Sequence, residues 1–283
     1  MRKEALFALP SFAFIFLLLL IPLAGTFYLS FFRYTTFIGK DFNFPENYIR
    51  LFEDPVFIKS LLFTLQFTIL SVSLELVSGL LTGLIIHSSF PGRGILRGLV
   101  LLPWAIPGVV SARAWESMFN YSYGLLNYLT DSILGLRINW LGNELTALLS
   151  VAVADLWKTT PFVALIILAG LQSIPEDLYK QAKVDGAGIF RRFREITLPL
   201  IGPFILVAIV FRTVDALRVF DLVFVLTEGG PGGSTTPLSL YAYRIYLGGD
   251  LGYGSAVSVS LFLISLTVSF LLLLISRRRH GFE

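Results

Sequence analysis

The chain has 283 residues, of which 55% are hydrophobic and 14% are charged, and its formal net charge is +3. Soluble domains usually carry about a quarter charged residues, so this composition predicts a protein that is solvated mainly by membrane lipid. The sequence holds no cysteine, which excludes disulfides and thiolate metal sites. Its only two histidines are isolated, which disfavours a histidine metal site, so no metal site is predicted. The net charge is small, and the basic residues fall in short clusters, which also disfavours a nucleic-acid partner.

Six segments are long and apolar enough to cross a bilayer, for which about 20 mostly apolar residues are needed. Their approximate cores, in chain order, are Leu6–Phe32, Ser60–His87, Ile95–Phe119, Leu145–Leu171, Leu200–Thr227 and Tyr253–Ser276. The apolar run of the first segment is too long for a signal peptide, so a retained spanning helix is expected. The sequence therefore predicts an all-α, polytopic membrane protein with six transmembrane helices.

These spans divide the chain into three predicted parts. Residues 1–58 would form the first transmembrane helix and an outer loop, residues 59–276 a core of five transmembrane helices, and residues 277–283 a basic tail. With the N-terminus placed in the cytoplasm, about twice as many Lys and Arg residues fall in the inner segments as in the outer ones. The positive-inside rule therefore predicts that both termini are cytoplasmic.

The third span carries its own helix-breaking signal. Pro103, Pro107 and Gly108 lie near its middle and predict a kink. Such kinks are tolerated in membranes where neighbouring helices satisfy the freed backbone groups. A hinge and plain packing remain equally good interpretations.

The connection between the fourth and fifth spans, Ser173–Pro199, carries the strongest local signals. Ser173 and Glu176 have the spacing of a capping box, which predicts that a helix starts there. Gly186 predicts the end of that helix, since glycine adopts the left-handed conformation at low cost. A second short amphipathic helix is expected to follow, and Pro199 is expected to open the fifth spanning helix.

Two short helices on the basic side would form either a docking element for a partner or a segment that lies on anionic lipid. The segment is similar to the EAA loop of bacterial and archaeal binding-protein-dependent ABC importers, whose pattern is Glu-Ala-Ala, three residues, Gly, nine residues, Ile, one residue and Leu-Pro. This resemblance assigns coupling with an ATPase to Lys180, Gln181, Ala182, Asp185, Gly186, Ala187, Ile196, Leu198 and Pro199. The departures are Lys180, where the family has Glu, and Gln181, where it has Ala. The first departure reverses the charge that the family usually presents to the ATPase.

The resemblance extends over nearly the whole chain. Residues 103–127 look like the third-helix pattern of sugar permeases, and residues 226–231 look like their connection between the fifth and sixth helices. Residues 157–161 and 211–215 resemble disaccharide permeases of the trehalose and maltose type. The chain is therefore similar to the carbohydrate-uptake branch of the family.

The resemblance implies a type I ABC importer permease fold and the role of a permease subunit rather than an enzyme. The implied substrate is a sugar, such as the disaccharides trehalose and maltose. The implied partners are a second, paralogous permease, two ATP-binding subunits and an extracytoplasmic solute-binding protein, in the plasma membrane of a bacterium or archaeon. Because the sequence lacks a Gly-x4-Gly-Lys-Ser/Thr phosphate loop, no cofactor is expected in this chain, and ATP and Mg would be bound by the ATPase subunits.

Charged residues also lie inside the predicted spans, where each costs about 2.5–3.5 kcal/mol at the bilayer centre. They are Glu75, Arg113, Glu116, Asp155, Lys158, Arg212, Asp215, Arg218 and Asp221. Residues three apart are neighbours on a helix, which predicts an Arg113–Glu116 pair, an Asp155–Lys158 pair and a spiral of alternating charge from Arg212 to Asp221. The pairs would either neutralise charge inside the bundle or line a polar path.

The resemblance places sugar-lining positions on the two helices that flank the loop. With an adjacent base and an aromatic residue that could stack on a sugar, the predicted substrate path comprises Asp155, Thr159, Asp215, Val219, Lys158 and Trp157. The alternative function is an ion-coupled secondary transporter that uses Glu75 or Asp155 as its coupling carboxylate. Only the ABC importer needs the docking loop, so the loop discriminates between these two functions.

Overall fold

The computed structural model describes residues 10, 14–36 and 39–280, with side chains as far as residue 274. The start of the first predicted span, at Leu6, and the last three residues of the predicted tail lie outside these residues. In the described part, helices follow one another along the chain, and a short hairpin comes after the first helix. The helices are α1 (Phe16–Ser30), α2 (Glu46–Glu53), α3 (Pro55–His87), α4 (Arg93–Ala105), α5 (Gly108–Phe119), α6 (Leu125–Leu134), α7 (Glu144–Gln172), α8 (Glu176–Val184), α9 (Ile189–Leu200), α10 (Gly202–Leu217), α11 (Asp221–Leu226), α12 (Leu238–Leu247) and α13 (Leu251–His280).

The hairpin is the main exception to the predicted all-α architecture. Its strands, β1 (Phe32–Thr35) and β2 (Gly39–Phe42), are antiparallel, and Phe32 pairs with Phe42. The first span was expected to continue to Phe32, but α1 ends at Ser30. The sequence Phe-Arg-Tyr-Thr that follows is rich in residues that favour strands, and it pairs with β2 instead of extending the helix.

Three described helices are individually long and apolar enough to cross a membrane: α3, α7 and residues 251–274 of α13. Two further candidates are bent pairs of helices, α4 with α5 and α9 with α10. The shorter α1 is apolar and is the described part of the first predicted span. The first pair corresponds to the third predicted span, which the sequence treats as a single segment. In the second pair, α10 lies in the fifth predicted span, whereas α9 precedes the predicted start of that span at Leu200 and contains the second short helix of the predicted loop.

The bend in the third span is confirmed at the predicted prolines. Helix α4 contains Pro103 and ends at Ala105, Pro107 is the N-cap of α5, and the two helices meet at 93°. Ile106 between them is extended, as expected for a residue that precedes proline. The bend leaves the carbonyl oxygen of Ile106 outside either helix, where a side chain can reach it.

Residues up to 62 and residues 237–266 form one compact unit. Its core consists of the buried side chains Leu51, Phe57, Leu238, Ala242, Tyr253 and Val257. The Asp54 carboxylate, just before α3, accepts hydrogen bonds from the hydroxyls of Tyr241 and Tyr253, the latter at 2.6 Å. Burial alone would raise the pKa of Asp54, but these hydrogen bonds, with those from backbone N–H groups, lower it. The carboxylate thereby ties α12 and α13 to the start of α3.

Residues 63–236 and those from 267 onward form the second unit. Helix α7 packs against α4 and α10 there. Helix α3 approaches α7 closely because glycines face it: a Cβ at Gly79 would lie 2.4 Å from Cγ1 of Val163, and one at Gly83 would lie 2.9 Å from Cγ2 of Ile167. Small residues commonly allow such close packing in membranes. This approach brings the polar residues of α3 against those of α7.

Candidate functional site

A buried ion cluster joins three helices of the second unit. Arg212 on α10 is 3% exposed, Glu75 on α3 is fully buried and Asp155 on α7 is 8% exposed. The Arg212 guanidinium donates from Nη2 to Glu75 Oε1 at 2.9 Å and to Asp155 Oδ2 at 3.2 Å, and from Nε to Glu75 Oε2. Its Nη1 donates to Asp215 on the same helix. One guanidinium therefore holds carboxylates from three helices, as its planar fork of donors allows.

Two hydroxyls complete the cluster. Ser71 Oγ lies 2.7 Å from Glu75 Oε1 and 2.5 Å from Asp155 Oδ2, and Thr159 Oγ1 donates to Glu75 Oε1 at 2.7 Å. The two side chains bridge α3 and α7. In a low-dielectric interior such a satisfied network rigidifies the packing, whereas an unpartnered charge there is very costly.

The predicted pairing of Asp155 with Lys158 is wrong. Asp155 contacts Arg212 and Ser71, while the Lys158 ammonium donates to the carbonyl oxygen of Ile106 at the bend between α4 and α5. That carbonyl follows the last residue of α4 and needs a donor from outside the helix. The spacing of three residues permits an ion pair but does not decide between it and a partner on another helix.

The predicted charge spiral is correct for its first three members only. Asp215 accepts from Arg212 and, at 3.2 Å, from Arg218, and its side chain is 50% exposed. Helix α10 then ends at Leu217, and Asp221 begins α11 as an acidic residue in its first turn. Because the helix is interrupted between Leu217 and Asp221, Asp221 does not continue the spiral. The predicted Arg113–Glu116 pair on α5 is confirmed as an exposed ion pair.

The predicted path residues mostly meet at one cavity of about 380 Å³. Its lining includes Asp155, Lys158, Thr159, Asp215 and Val219. A neighbouring cavity of about 560 Å³ shares several of these residues and adds an aromatic wall. The two cavities together offer carboxylate, ammonium, guanidinium and hydroxyl groups beside apolar surface, which is the usual character of a ligand site.

The sequence did not predict this aromatic wall. It consists of Trp104, Phe162 and Phe211; Trp104 stacks on Phe162 at 6.0 Å and Phe162 meets Phe211 edge to face at 6.2 Å. The predicted aromatic residue, Trp157, instead packs edge to face against Trp115 at 6.0 Å. Phe162 lies four residues after Lys158, so helical spacing from the predicted site could have pointed to it.

The segment between α7 and α10 contains the two predicted short helices. Helix α8 ends at Val184, and Gly186 adopts φ of +77°, as predicted for a left-handed glycine at this position. The Ala187 N–H donates to the Ala182 carbonyl oxygen at 2.8 Å and closes the turn. The segment then enters α9, whose residues Phe193–Thr197 form a π-helical turn.

Two local predictions for this segment are wrong. Ser173 does not cap α8; it follows the last residue of α7, and its Oγ donates back to the Gly170 carbonyl oxygen at 2.8 Å. The N-cap of α8 is Pro175, without a side-chain hydrogen bond. Pro199 lies inside α9, and the next helix opens only at Gly202, after a bend of 61°. In both places the preceding helix extends as far as, or beyond, the residue that was expected to start the next helix.

The tip of this segment exposes apolar side chains. Val184 is 88% exposed and Phe190 is 89% exposed, and Ile189 is also exposed. Two of the charged residues near them are paired along their own helices: Lys180 with Asp177 at 2.8 Å, and Arg191 with Glu195 at 2.9 Å. A polar surface with exposed large apolar residues at its tip is typical of a protein-docking site.

Comparison with known proteins gives consistent matches over the chain. A family described as the binding-protein-dependent transport system inner membrane component matches residues 75–281. The trehalose/maltose transport system permease protein MalF of Thermococcus litoralis is 48% identical over 277 residues, which cover 97% of this chain and 94% of that protein. The sulfoquinovosyl glycerol transport system permease protein SmoG of Agrobacterium fabrum is 39% identical over 266 residues, or 93% and 86% of the two chains.

The fold also matches a solved structure. A chain of the bacterial alginate ABC transporter, crystallised in complex with an alginate pentasaccharide-bound periplasmic protein, superimposes with a TM-score of 0.85. The two chains are 26% identical, and the match covers 98% of this chain and 95% of that one.

Proposed function

Since the chain belongs to the family of inner membrane components of binding-protein-dependent transport systems, we propose that it is the permease subunit of an ATP-driven sugar importer. Its transport substrate is a sugar, and the names of its relatives favour a disaccharide of the trehalose or maltose type. The observation that carries this proposal is the pair of adjoining cavities, where aromatic faces meet carboxylate and hydroxyl groups. Sugars present apolar ring faces and many hydroxyls, so such a lining suits them.

Within the cavities, Asp215 is the best candidate for a direct sugar contact. Its side chain is half exposed and lines both cavities, and Arg212 and Arg218 fix its carboxylate. Asp155 lines one cavity, but its carboxylate is committed to Arg212 and Ser71. We therefore assign Asp155 to holding the site together and Asp215 to the sugar.

The segment from α8 to α9 is the proposed docking site for an ATP-binding subunit. Its support is the match to the EAA pattern, the left-handed Gly186 between the two helices and the exposed apolar tip. Two ATP-binding subunits would hold ATP and Mg, and a second, paralogous permease would complete the path. An extracytoplasmic binding protein would deliver the sugar, and the basic residues favour a topology with both termini in the cytoplasm.

An ion-coupled secondary transporter fits the site less well. That mechanism needs a carboxylate free to bind and release an ion or proton, and the two candidates for it, Glu75 and Asp155, both contact Arg212. A docking segment for an ATPase would also have no role in it. ATP therefore remains the proposed energy source.

The proposal is tested by reconstituting the chain in vesicles with the permease, ATP-binding and binding proteins encoded beside it. We expect trehalose or maltose uptake that requires ATP, and no uptake driven by a proton or sodium gradient alone. Gradient-driven uptake without ATP would refute the importer assignment.

The sugar contact is tested separately in the same vesicles. Asp215→Asn should lower uptake strongly while ATP hydrolysis stimulated by the loaded binding protein persists. The matched control is Asp131→Asn, at an exposed carboxylate paired with Arg137 and away from both cavities. Uptake by Asp215→Asn equal to that of the control would remove Asp215 from the sugar path.

A further inference from the structure

A third cavity, of about 710 Å³, lies where several membrane helices end. Its walls come from the C-terminal end of α3, the first turns of α4, the C-terminal end of α7 and the two helices of the docking segment. The charged residues that line it are Arg93, Arg97, Glu176, Lys183 and Arg192, and His87 and Tyr179 line it as well. Four permanent cations against one carboxylate give this cavity a strongly positive lining.

Two of the four cations are held by backbone carbonyl groups, and none of the four has a carboxylate partner in the described part of the chain. Arg97 donates from Nε and Nη2 to the Ile86 carbonyl oxygen at 3.0 and 2.9 Å, and Arg93 donates to the His87 carbonyl oxygen at 3.4 Å. These bonds use only some of the donors of each guanidinium. The Nε of Arg192 is buried and finds no acceptor among the described residues.

Neighbouring bases on the same two helices behave differently. Lys180 on α8 and Arg191 on α9 are exposed and pair with carboxylates of their own helix. Lys183 and Arg192, on those same helices, line the cavity and form no ion pair within the described residues. Lys180 and Arg191 are therefore neutralised outside the cavity, whereas Lys183 and Arg192 remain available inside it.

From this arrangement we infer that the cavity binds a phosphate group, either from the headgroup of an anionic phospholipid or from a soluble phosphate compound. Arginine forks match the oxygens of phosphate, and lysine binds it as a point charge. The ends of apolar spans lie at the level of lipid headgroups, where anionic lipids attract clustered Lys and Arg. The volume of the cavity exceeds what one phosphate group needs, so the group that carries the phosphate can enter with it.

A phosphate in this cavity would act on the docking segment. It would contact Arg93 and Arg97 on α4 together with Lys183 on α8 and Arg192 on α9, and so connect the segment to a membrane helix. The two helices of the segment are already joined to each other by the hydrogen bond between Tyr179 and Thr197, at 2.8 Å. Occupancy of the cavity would thus set how firmly the proposed ATPase docking site is held.

The experiment measures lipid binding to the full purified chain in a neutral detergent. Native mass spectrometry counts retained phosphatidylglycerol against phosphatidylcholine, and inorganic phosphate is then added as a competitor. The test variant is K183Q/R192Q, and the control is K180Q/R191Q, which removes the same two charges from the same two helices outside the cavity. Each Lys or Arg near anionic lipid contributes about fivefold to binding, so the test variant should bind phosphatidylglycerol about 30-fold more weakly.

The outcomes separate the two sources of phosphate. Retention of phosphatidylglycerol by the wild type and the control, unaffected by millimolar phosphate, supports a lipid headgroup. Binding of inorganic phosphate that displaces the lipid, and that K183Q/R192Q also loses, supports a soluble phosphate compound. If K183Q/R192Q does not fold, Arg93→Gln is compared with the control instead. This variant removes one cation of the cavity, and it costs only a weak hydrogen bond to a backbone carbonyl group.

Three results would overturn the inference. One is an equal loss of lipid in the test and control variants, which would mean that binding follows overall charge. Another is no preference of the wild type for phosphatidylglycerol and no binding of phosphate. The third is expulsion of the lipid or phosphate when the ATP-binding subunits are added, which would mean that acidic residues of the ATPase occupy the cavity.

Discussion

Replacing Arg212 with methionine should be among the most destabilising single changes in the second unit. The side chain is 3% exposed and supplies the cationic partner of both Glu75 and Asp155. Without it, two buried carboxylates would keep only the hydroxyls of Ser71 and Thr159. Breaking a buried ion pair from one side costs about 3–5 kcal/mol, which is a large part of the 5–15 kcal/mol by which proteins are typically stable.

The reasoning is sharper in a double-mutant cycle. Glu75→Leu together with Arg212→Met removes both the guanidinium and the carboxylate that contacts it twice. Replacing a buried pair by apolar residues of similar volume is often close to neutral, although Asp155 still loses its cation here. We therefore expect the double variant to be more stable than Arg212→Met alone, with an interaction energy of about 1–3 kcal/mol.

The measurement is the unfolding of the purified chain in mixed micelles of neutral detergent and dodecyl sulfate, where the free energy of unfolding is read from the transition. Arg113→Met is the matched control, because Arg113 forms an exposed pair on α5 and should cost less than about 1 kcal/mol. If the double variant loses as much stability as Glu75→Leu and Arg212→Met do together, the cluster would be refuted, since additive losses would show that Arg212 and Glu75 contribute independently.

Three further predictions concern other parts of the chain. Gly186→Val forces a side chain into φ of +77°, so the chain should insert normally but couple ATP hydrolysis to uptake poorly; uptake at the wild-type rate in vesicles would contradict this. Gly79→Leu should destabilise the second unit, because its Cβ would lie 2.4 Å from Val163, whereas Gly98→Leu, with open space around it, should not; equal melting temperatures would contradict the close helix packing. The pKa of Asp54 is lowered in the folded chain by its tyrosine and backbone hydrogen bonds, so its stabilising effect is present above the ordinary carboxyl pKa and is lost as the pH falls through the folded value. Asp54→Asn should therefore flatten the decline in melting temperature below about pH 4. An unchanged decline would contradict the stabilising role of the hydrogen bonds that Asp54 accepts from Tyr241 and Tyr253.

Local signals in the sequence predicted the features that depend on local structure. The prolines at 103 and 107 predicted the bend between α4 and α5, and Gly186 predicted the turn between α8 and α9. Local signals failed where a longer helix decided the outcome. The capping box at Ser173 was wrong because α7 continues to Gln172, so that the serine terminates one helix instead of starting the next.

The interruption of the fifth span had no comparable signal. The residues between α10 and α11 are Arg218, Val219 and Phe220, which include neither glycine nor proline. Helix α11 packs against α5, and this tertiary contact accompanies the change of direction. Local sequence patterns describe residues along one helix. They therefore cannot predict a helix break that depends on packing against another element.

The sequence alone could not distinguish the roles of the two carboxylates in the predicted path. Asp155 and Asp215 each lie three residues from a base, and the same rule assigned both of them local partners. Arg212 also reaches Asp155 over 57 positions and Glu75 over 137, because α10 packs against α7 and the glycines of α3 let that helix approach α7 as well. Asp155 is thereby buried in the network, while Asp215, at the exposed edge of the same guanidinium, keeps half of its side chain open to the cavities. One arginine thus gives the two residues different roles: burial commits Asp155 to holding the three helices together, and exposure leaves Asp215 able to meet a ligand.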